Sequence, residues 1–281
     1  MSALPRETKT QKRTLFRSNP ILSRMGKITE RSETNAATYA GIAGKTSFFL
    51  AITLVGMIAQ LLVSAAMANE PVWQTVEIYK KFTVALTMKE TMIVGAVLVL
   101  GLACELLGIF MRKTIPVTGT LYAARQGYVI SFLVFKVLHG YEYLGLEALL
   151  LTVAVVAVMS WLYASGIIKA DKKFRTVLLS LLIGSIGVGA LTFIGSLIPA
   201  TRPFVQAIMQ NPALSIGLDL IGLVIAALFL ISDFAMIDSC VKEKYPRDFE
   251  WAAAFGLVFT VIWIYLKILD LLMQLTDSKK S

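Results

Sequence analysis

Carboxylates inside apolar segments are the first residues of this chain that could do chemistry. Asp219 and Asp233 both lie in an apolar segment that runs from about residue 214 to residue 238. A carboxylate at the centre of a membrane-spanning helix costs about 2.5–3.5 kcal/mol on insertion scales, so it usually faces a partner or a water-filled cavity. Asp233 is therefore the first candidate for a functional residue, and Asp219 is the second.

The spacing of the two aspartates places them on one side of a helix. Asp219 precedes Asp233 by 14 residues, which at about 100° per residue leaves them within about 40° of the same face and roughly 21 Å apart. Such a stripe suits a path for cations. It also suits a purely structural role in which Asp219 is a polar cap at the outer membrane surface, and both interpretations stay open.

Other charged residues are expected at matching depths. Glu105 and Arg125 lie in the second and third apolar segments, and counting from the inner helix ends places both at the depth of Asp233 in the cytoplasmic half. Because isolated buried charges are costly, we expect Arg125 to pair with Asp233, with Glu105 close by. The alternative is that each group reaches the inner surface separately. Lys267 and Asp270, three residues apart, are predicted to form a local pair.

The elements that position these residues follow from composition. The 281 residues are 57% hydrophobic and only 16% charged, against about 25% charged in an average soluble domain. The apolar residues form seven segments, each long enough to cross a hydrocarbon core of roughly 30 Å. These segments span residues 45–68, 91–111, 117–138, 145–168, 176–198, 214–238 and 251–275. The prediction is an all-α integral membrane protein with seven transmembrane helices in one domain, residues 45–275, between a basic arm, residues 1–44, and a short tail, residues 276–281.

The distribution of positive charge predicts the orientation. The chain has a formal net charge of +9, and Lys and Arg concentrate in the arm and in the even-numbered loops, which predicts a cytoplasmic N-terminus and an external C-terminus. These basic residues favour contact with anionic lipid rather than nucleic acid. The chain has no catalytic serine motif, HExxH, Walker loop or CxxC, so we expect no enzyme activity, cofactor or metal site.

Four motifs, in order along the chain, resemble those of a known family. They are Ser18–Arg24 in the arm, Pro116–Gly127 in the third segment, Leu230–Asp238 in the sixth and Glu250–Leu272 in the seventh. The chain is similar in these motifs to the Bax inhibitor-1/YccA-like family, also called the transmembrane Bax inhibitor motif family, and looks closest to its bacterial branch. The resemblance implies a seven-helix bundle with the last helix in the centre. It also implies a pH-sensitive calcium leak that is gated by one aspartate on each of the last two helices.

Carried over by position, the gate is only half present. Asp233 matches the aspartate of the sixth helix, whereas the position of the second aspartate falls on Thr260, and Gln126 stands where many relatives have glutamate. We therefore interpret the chain as a bacterial inner-membrane protein that passes cations, calcium above all, with Asp233 as the gate. With Arg125 expected to keep Asp233 ionised, the flux is predicted to vary little between about pH 6 and 8. The alternative is a non-transporting regulator that binds other membrane proteins, such as a membrane protease.

Overall fold

The structure, a computed structural model, describes residues 35–79, 81–209 and 211–278, and helices dominate this part of the chain. The helices are α1 (Tyr39–Ala66), α2 (Met88–Phe110), α3 (Ile115–Ser131), α4 (Tyr143–Ala164), α5 (Lys172–Leu197), α6 (Arg202–Met209), α7 (Pro212–Lys242) and α8 (Phe249–Ser278). Among the described residues five helices, α1, α4, α5, α7 and α8, are long and apolar enough to cross a membrane. The prediction of an all-α membrane protein is confirmed at this level.

Each of the seven predicted apolar segments coincides with a helix, although two of them fall outside the five candidate spans. One of these two, α3, has 17 residues and continues as a π-helix over Phe132–Val137, which covers the rest of the predicted segment. The first helix begins at Tyr39, earlier than the boundary predicted at residue 44. The reason is a cap: the Thr38 hydroxyl accepts a hydrogen bond from the Gly41 amide at 2.9 Å.

A β-hairpin fills the first loop, where no strand was predicted. Strands β1 (Val72–Tyr79) and β2 (Phe82–Thr87) pair antiparallel, with Val76 opposite Val84. Most residues of β2 alternate between buried and exposed, which is the pattern of a strand that covers a core with one face. The many β-branched and aromatic residues of the two strands were the sequence signal for this hairpin.

The helix α8 is the most enclosed of the five candidate spans. It packs against α1, α3, α4 and α7. Within its most apolar stretch 61% of the residues are buried, whereas the corresponding fractions for the other four helices are 6–28%. A residue of α7 that faces α8 is therefore surrounded by protein rather than by lipid.

Helices α1 and α3 cross at backbone contact. A Cβ added to Gly56 would overlap the carbonyl oxygen of Ala124, and a Cβ added to Gly127 would overlap the carbonyl oxygen of Thr53. Glycines at both contact points let two helix backbones approach more closely than any side chain permits. This crossing fixes the position of α3, and hence of Arg125, relative to the rest of the bundle.

The described end of the N-terminal arm is bound to the link between α7 and α8 and to the first turn of α8. The amide of Ala37 donates to the carbonyl of Tyr245 at 2.7 Å, and the amide of Thr38 donates to the carboxylate of Glu250 at 2.8 Å. Glu250 is fully buried and also accepts a hydrogen bond from Lys45. The arm motif Ser18–Arg24 lies outside the described residues.

Candidate functional site

Asp233 lies in the interface between α7 and α8. Its side chain is buried, with 8% of the residue exposed. The Thr260 side chain of α8 lies beside its carboxylate, and Gly256 of α8 also lies close to it. Within the described residues, the second carboxylate oxygen, Oδ2, has no hydrogen-bond partner. This is a buried anionic group with only part of its hydrogen-bonding capacity used.

Thr260 is a weak partner for this carboxylate. Its hydroxyl also lies 3.1 Å from the carbonyl oxygen of Gly256, one turn earlier in α8. A hydroxyl has one proton to donate, so Asp233 competes with a backbone acceptor for it. Burying a charged group without full hydrogen bonding is unfavourable. A proton or a cation at Asp233 therefore stabilises the site.

Arg125 pairs with Glu105, and the prediction that it pairs with Asp233 is wrong. The Nη1 atom of Arg125 lies 3.4 Å from Oε2 of Glu105, which joins α3 to α2. Gly101 of α2 leaves the room for this arrangement, because a Cβ there would overlap the Arg125 side chain. Of the three charged residues predicted to meet, only Glu105 of α2 and Arg125 of α3 form a pair. Asp233 faces α8 instead.

The face of α3 that meets α8 carries an aromatic side chain. Tyr122 stacks on Phe259 with ring centroids 5.5 Å apart and meets Phe255 edge-on at 5.2 Å. Gln126 donates from Nε2 to the Tyr122 hydroxyl at 2.9 Å. These ring contacts fix the rotation of α3 about its axis relative to α8. Gln126 is a neutral hydrogen-bond partner for the Tyr122 hydroxyl. Thr260 follows Phe259 directly, so the aromatic contact also supports the Asp233 site.

Asp219 is fully engaged by α8. Its Oδ1 atom lies 2.6 Å from Nζ of Lys267, and its Oδ2 atom accepts a hydrogen bond from Gln274. The stem of Lys267 runs over Gly222, where a Cβ would lie 3.4 Å from its Cε atom. Lys267, which was predicted to pair with Asp270, forms its ion pair with Asp219. Asp219 is a cross-helix partner rather than an exposed polar cap.

The prediction that Asp219 and Asp233 lie on one face of the helix is nevertheless confirmed. Asp219 and Asp233 both face α8, at opposite halves of the interface. What the spacing could not indicate is the difference in their partners, because Lys267 and Gln274 reach only the first of the two aspartates.

Two buried ion pairs were missed from the sequence. Besides Glu250, Glu90 is buried and lies 2.6 Å from Nζ of Lys136. Glu90 also forms a capping box with Thr87 at the start of α2. The Thr-x-x-Glu spacing was a readable signal for the cap. The partner Lys136 was not readable, since it lies in the π-helical segment, where side chains leave the α-helical register.

Comparison with known proteins agrees with this architecture. The sequence profile of the family described as Bax inhibitor 1 like matches residues 19–277. No curated protein gives a significant match to the chain. The family match covers the described helices up to residue 277 and includes Glu105, Arg125, Asp219, Asp233 and Thr260. The chain belongs to the Bax inhibitor 1 like family of membrane proteins.

Proposed function

We propose that this protein passes a cation, calcium above all, down its gradient through the bacterial inner membrane, and that Asp233 is the gate carboxylate. One observation carries the proposal: Asp233 is buried between α7 and α8 with its Oδ2 atom unpartnered within the described residues. A fold does not need such a group for stability, because a buried polar atom without a partner is a cost. A residue that is present although it lowers the stability of the fold is a candidate for a functional role.

The proposed topology completes the predicted membrane domain. Helices α2 and α3 are the sixth and seventh spans beside the five candidates, the N-terminus lies in the cytoplasm, and the C-terminus lies outside. Lys and Arg in the arm and the even-numbered loops support this orientation. In this role the protein is a transporter of ions in contact with membrane lipid, without catalytic chemistry and without a cofactor.

The gate works with one carboxylate rather than two. A protonated Asp233 is neutral and fits the closed interface between α7 and α8. An ionised Asp233 attracts a cation, since its neighbour Thr260 carries no charge to balance it. The pair of Arg125 and Glu105 lies on the neighbouring helices and tunes the site through the packing of α3. The expectation of a pH-insensitive flux depended on Arg125 beside Asp233, so we now expect the flux to change with pH.

Calcium flux into liposomes tests this directly. Purified protein is reconstituted with a calcium indicator inside the vesicles, and the flux is recorded over a range of pH. We expect Asp233→Asn to abolish the pH dependence of the flux. Glu77→Gln, which removes an exposed carboxylate from the hairpin, is the control and should retain it. A wild-type flux with the same pH dependence in Asp233→Asn excludes Asp233 as the gate.

A second candidate function is a non-transporting regulator that binds other membrane proteins. The observation that favours it is the exposure of α5, an apolar helix with only 6% of its most apolar stretch buried. Its Gly184, Gly187 and Gly189 have open space around them. Folded protein that gives no flux at any pH would exclude the leak and favour this role.

A further inference from the structure

The chain that leads into α1 crosses the link between α7 and α8. The amide of Arg247 donates to the carbonyl of Asn35 at 3.0 Å, and Ala36 and Pro246 form an antiparallel β-bridge. We call residues 35–39, which end on the first residue of α1, the strap. Backbone hydrogen bonds thus fix the strap to the link.

Two successive residues of the strap bind the two helices that the link joins. The amide and the hydroxyl of Thr38 donate to Oε1 of Glu250, in the first turn of α8, at 2.8 and 3.2 Å. The hydroxyl of Tyr39 donates to Oδ1 of Asp238, near the end of α7, at 2.8 Å. The strap therefore holds the end of α7 and the start of α8 together.

The end of α7 has unfilled space along one face. Ala235, Asp238, Ser239 and Lys242 recur at the spacing of a single helix face, and all four line a cavity of about 530 Å³. From the far wall of this cavity the hydroxyl of Tyr163 donates to Asp238 at 3.0 Å. Because side chains do not fill this space, the end of α7 has room to move when its hydrogen bonds break.

We propose that the strap keeps the interface between α7 and α8 closed at Asp233, with Thr38 and Tyr39 as positioning residues. The inference rests on the proposed role of Asp233 as a gate. Asp233 lies five residues before Asp238 on the same helix, so a movement of this end of α7 into the cavity draws Asp233 away from Thr260. Release of the strap is then a local opening that admits water and ions to the carboxylate.

The reactivity of Cys240 reports this movement without a flux measurement. Cys240 follows Asp238 by two residues and is fully buried. In a Cys104→Ser background it is the single thiol of the chain, and its rate of reaction with a water-soluble thiol reagent is recorded on purified protein in detergent. We expect Tyr39→Phe to raise this rate about 3- to 10-fold, the effect of losing one partly exposed hydrogen bond. The calcium flux of the same variant should rise as well.

Two glycines of α1 provide a matched pair of further variants. A Cβ at Gly41 would overlap the carboxylate of Glu250, whereas a Cβ at Gly44 meets open space. Gly41→Ala should therefore displace Glu250 from the strap and raise the rate, and Gly44→Ala should react like the wild type. Gly101→Ala, which crowds Arg125 on the far helix pair, controls for a general loss of stability and should also leave the rate unchanged.

The two readouts separate the strap from the proposed function. Faster reaction of Cys240 with no calcium flux in any variant would support the strap as a restraint on α7 and exclude the leak. Faster reaction with an unchanged flux, in a wild type that passes calcium, would overturn the positioning role. Equal rates in Tyr39→Phe and the wild type, or an equally fast reaction in Gly101→Ala, would overturn it too. If Gly41→Ala fails to fold, Tyr39→Phe decides.

Discussion

Two aspartates on one helix face meet opposite surroundings in this bundle. Asp219 is bound on both carboxylate oxygens, by Lys267 and Gln274. Asp233, 14 residues later, lies beside Thr260, whose hydroxyl donates to a backbone carbonyl, and its Oδ2 has no partner among the described residues. Both face the same central helix, α8. The difference therefore comes from what α8 presents at each depth, not from where α7 places its acids.

This contrast separates a structural charge from the charge that we propose to be functional. The pair of Asp219 and Lys267 is complete and ties one half of α7 to α8. The other half has no such tie at Asp233, so the carboxylate is free to change its protonation state or bind an ion. A complete pair is expected to matter for stability, and an incomplete site is expected to matter for activity.

The largest effect on stability is expected from Lys267→Met. The substitution leaves Asp219 with an uncompensated charge in the interface, which costs about 3 kcal/mol, the lower end for a buried pair because 31% of the Lys267 side chain is exposed. Unfolding by denaturant in detergent micelles measures the loss. The control is Lys89→Met, which breaks the exposed pair with Glu70 and should cost at most about 1 kcal/mol. Equal losses would show that the pair of Asp219 and Lys267 behaves like a surface contact.

A second carboxylate, introduced at position 260, should change how the Asp233 site binds protons. Thr260→Asp places an ionisable group beside Asp233, and we expect a cost of about 2 kcal/mol at neutral pH from the additional buried polar group. The calcium flux should gain a second proton-binding step. Thr260→Asn has a similar size without the charge, so it should give no second step. A single unchanged step in Thr260→Asp would mean that the two side chains do not interact.

The separation of Arg125 from Asp233 can be tested through the glycine that makes room for Arg125. Gly101→Ala should destabilise the protein by about 1–2 kcal/mol, because a Cβ at this position overlaps the Arg125 side chain. Gly95→Ala on the same helix, where a Cβ meets open space, should be neutral or slightly stabilising. Circular dichroism during thermal unfolding compares the two. If they melt together, Gly101 is not what directs Arg125 towards Glu105.

The smallest change in stability is expected at the proposed gate itself. Asp233→Asn removes a buried carboxylate with an unpartnered oxygen, so the free energy of unfolding should rise or stay within about 1 kcal/mol of the wild type. Asp219→Asn serves as the matched control, since it weakens a complete pair and should destabilise the protein. A larger loss in Asp233→Asn than in Asp219→Asn would reverse the assignment of the two aspartates.

The helices were predictable from the sequence, whereas the choice of partners was not. Long apolar segments require helices in a membrane, since every backbone group must be hydrogen-bonded within the segment, and the 14-residue spacing correctly placed Asp219 and Asp233 on one face. Matching depth did not bring Arg125 to Asp233, because depth says nothing about helix rotation. The rotation of α3 depends on Tyr122 against α8 and on the space at Gly101, which are contacts between segments far apart in the sequence.

The β-hairpin and the π-helical segment were also not predicted from the sequence. The strands β1 and β2 are rich in β-branched and aromatic residues, but this segment was assigned as a loop from its position between apolar segments. The π-helical segment Phe132–Val137 has no comparable signal, and it brings Lys136 to Glu90. A prediction that counts α-helical turns necessarily misplaces such a side chain.

The enclosed position of α8 has a consequence for how the protein is made. Chain order places α8 after all four helices that surround it, and synthesis proceeds from the N-terminus. Until α8 leaves the ribosome, Asp219 of α7 lacks its partners Lys267 and Gln274, and the faces of α3 and α4 that meet α8 have nothing to pack on. The glycine crossing of α1 and α3 can form early, because both helices are then already in the membrane. The four helices around α8 thus complete their packing only when α8 is inserted between them. A nascent chain that stalls before α8 leaves the faces that would contact α8 without a partner.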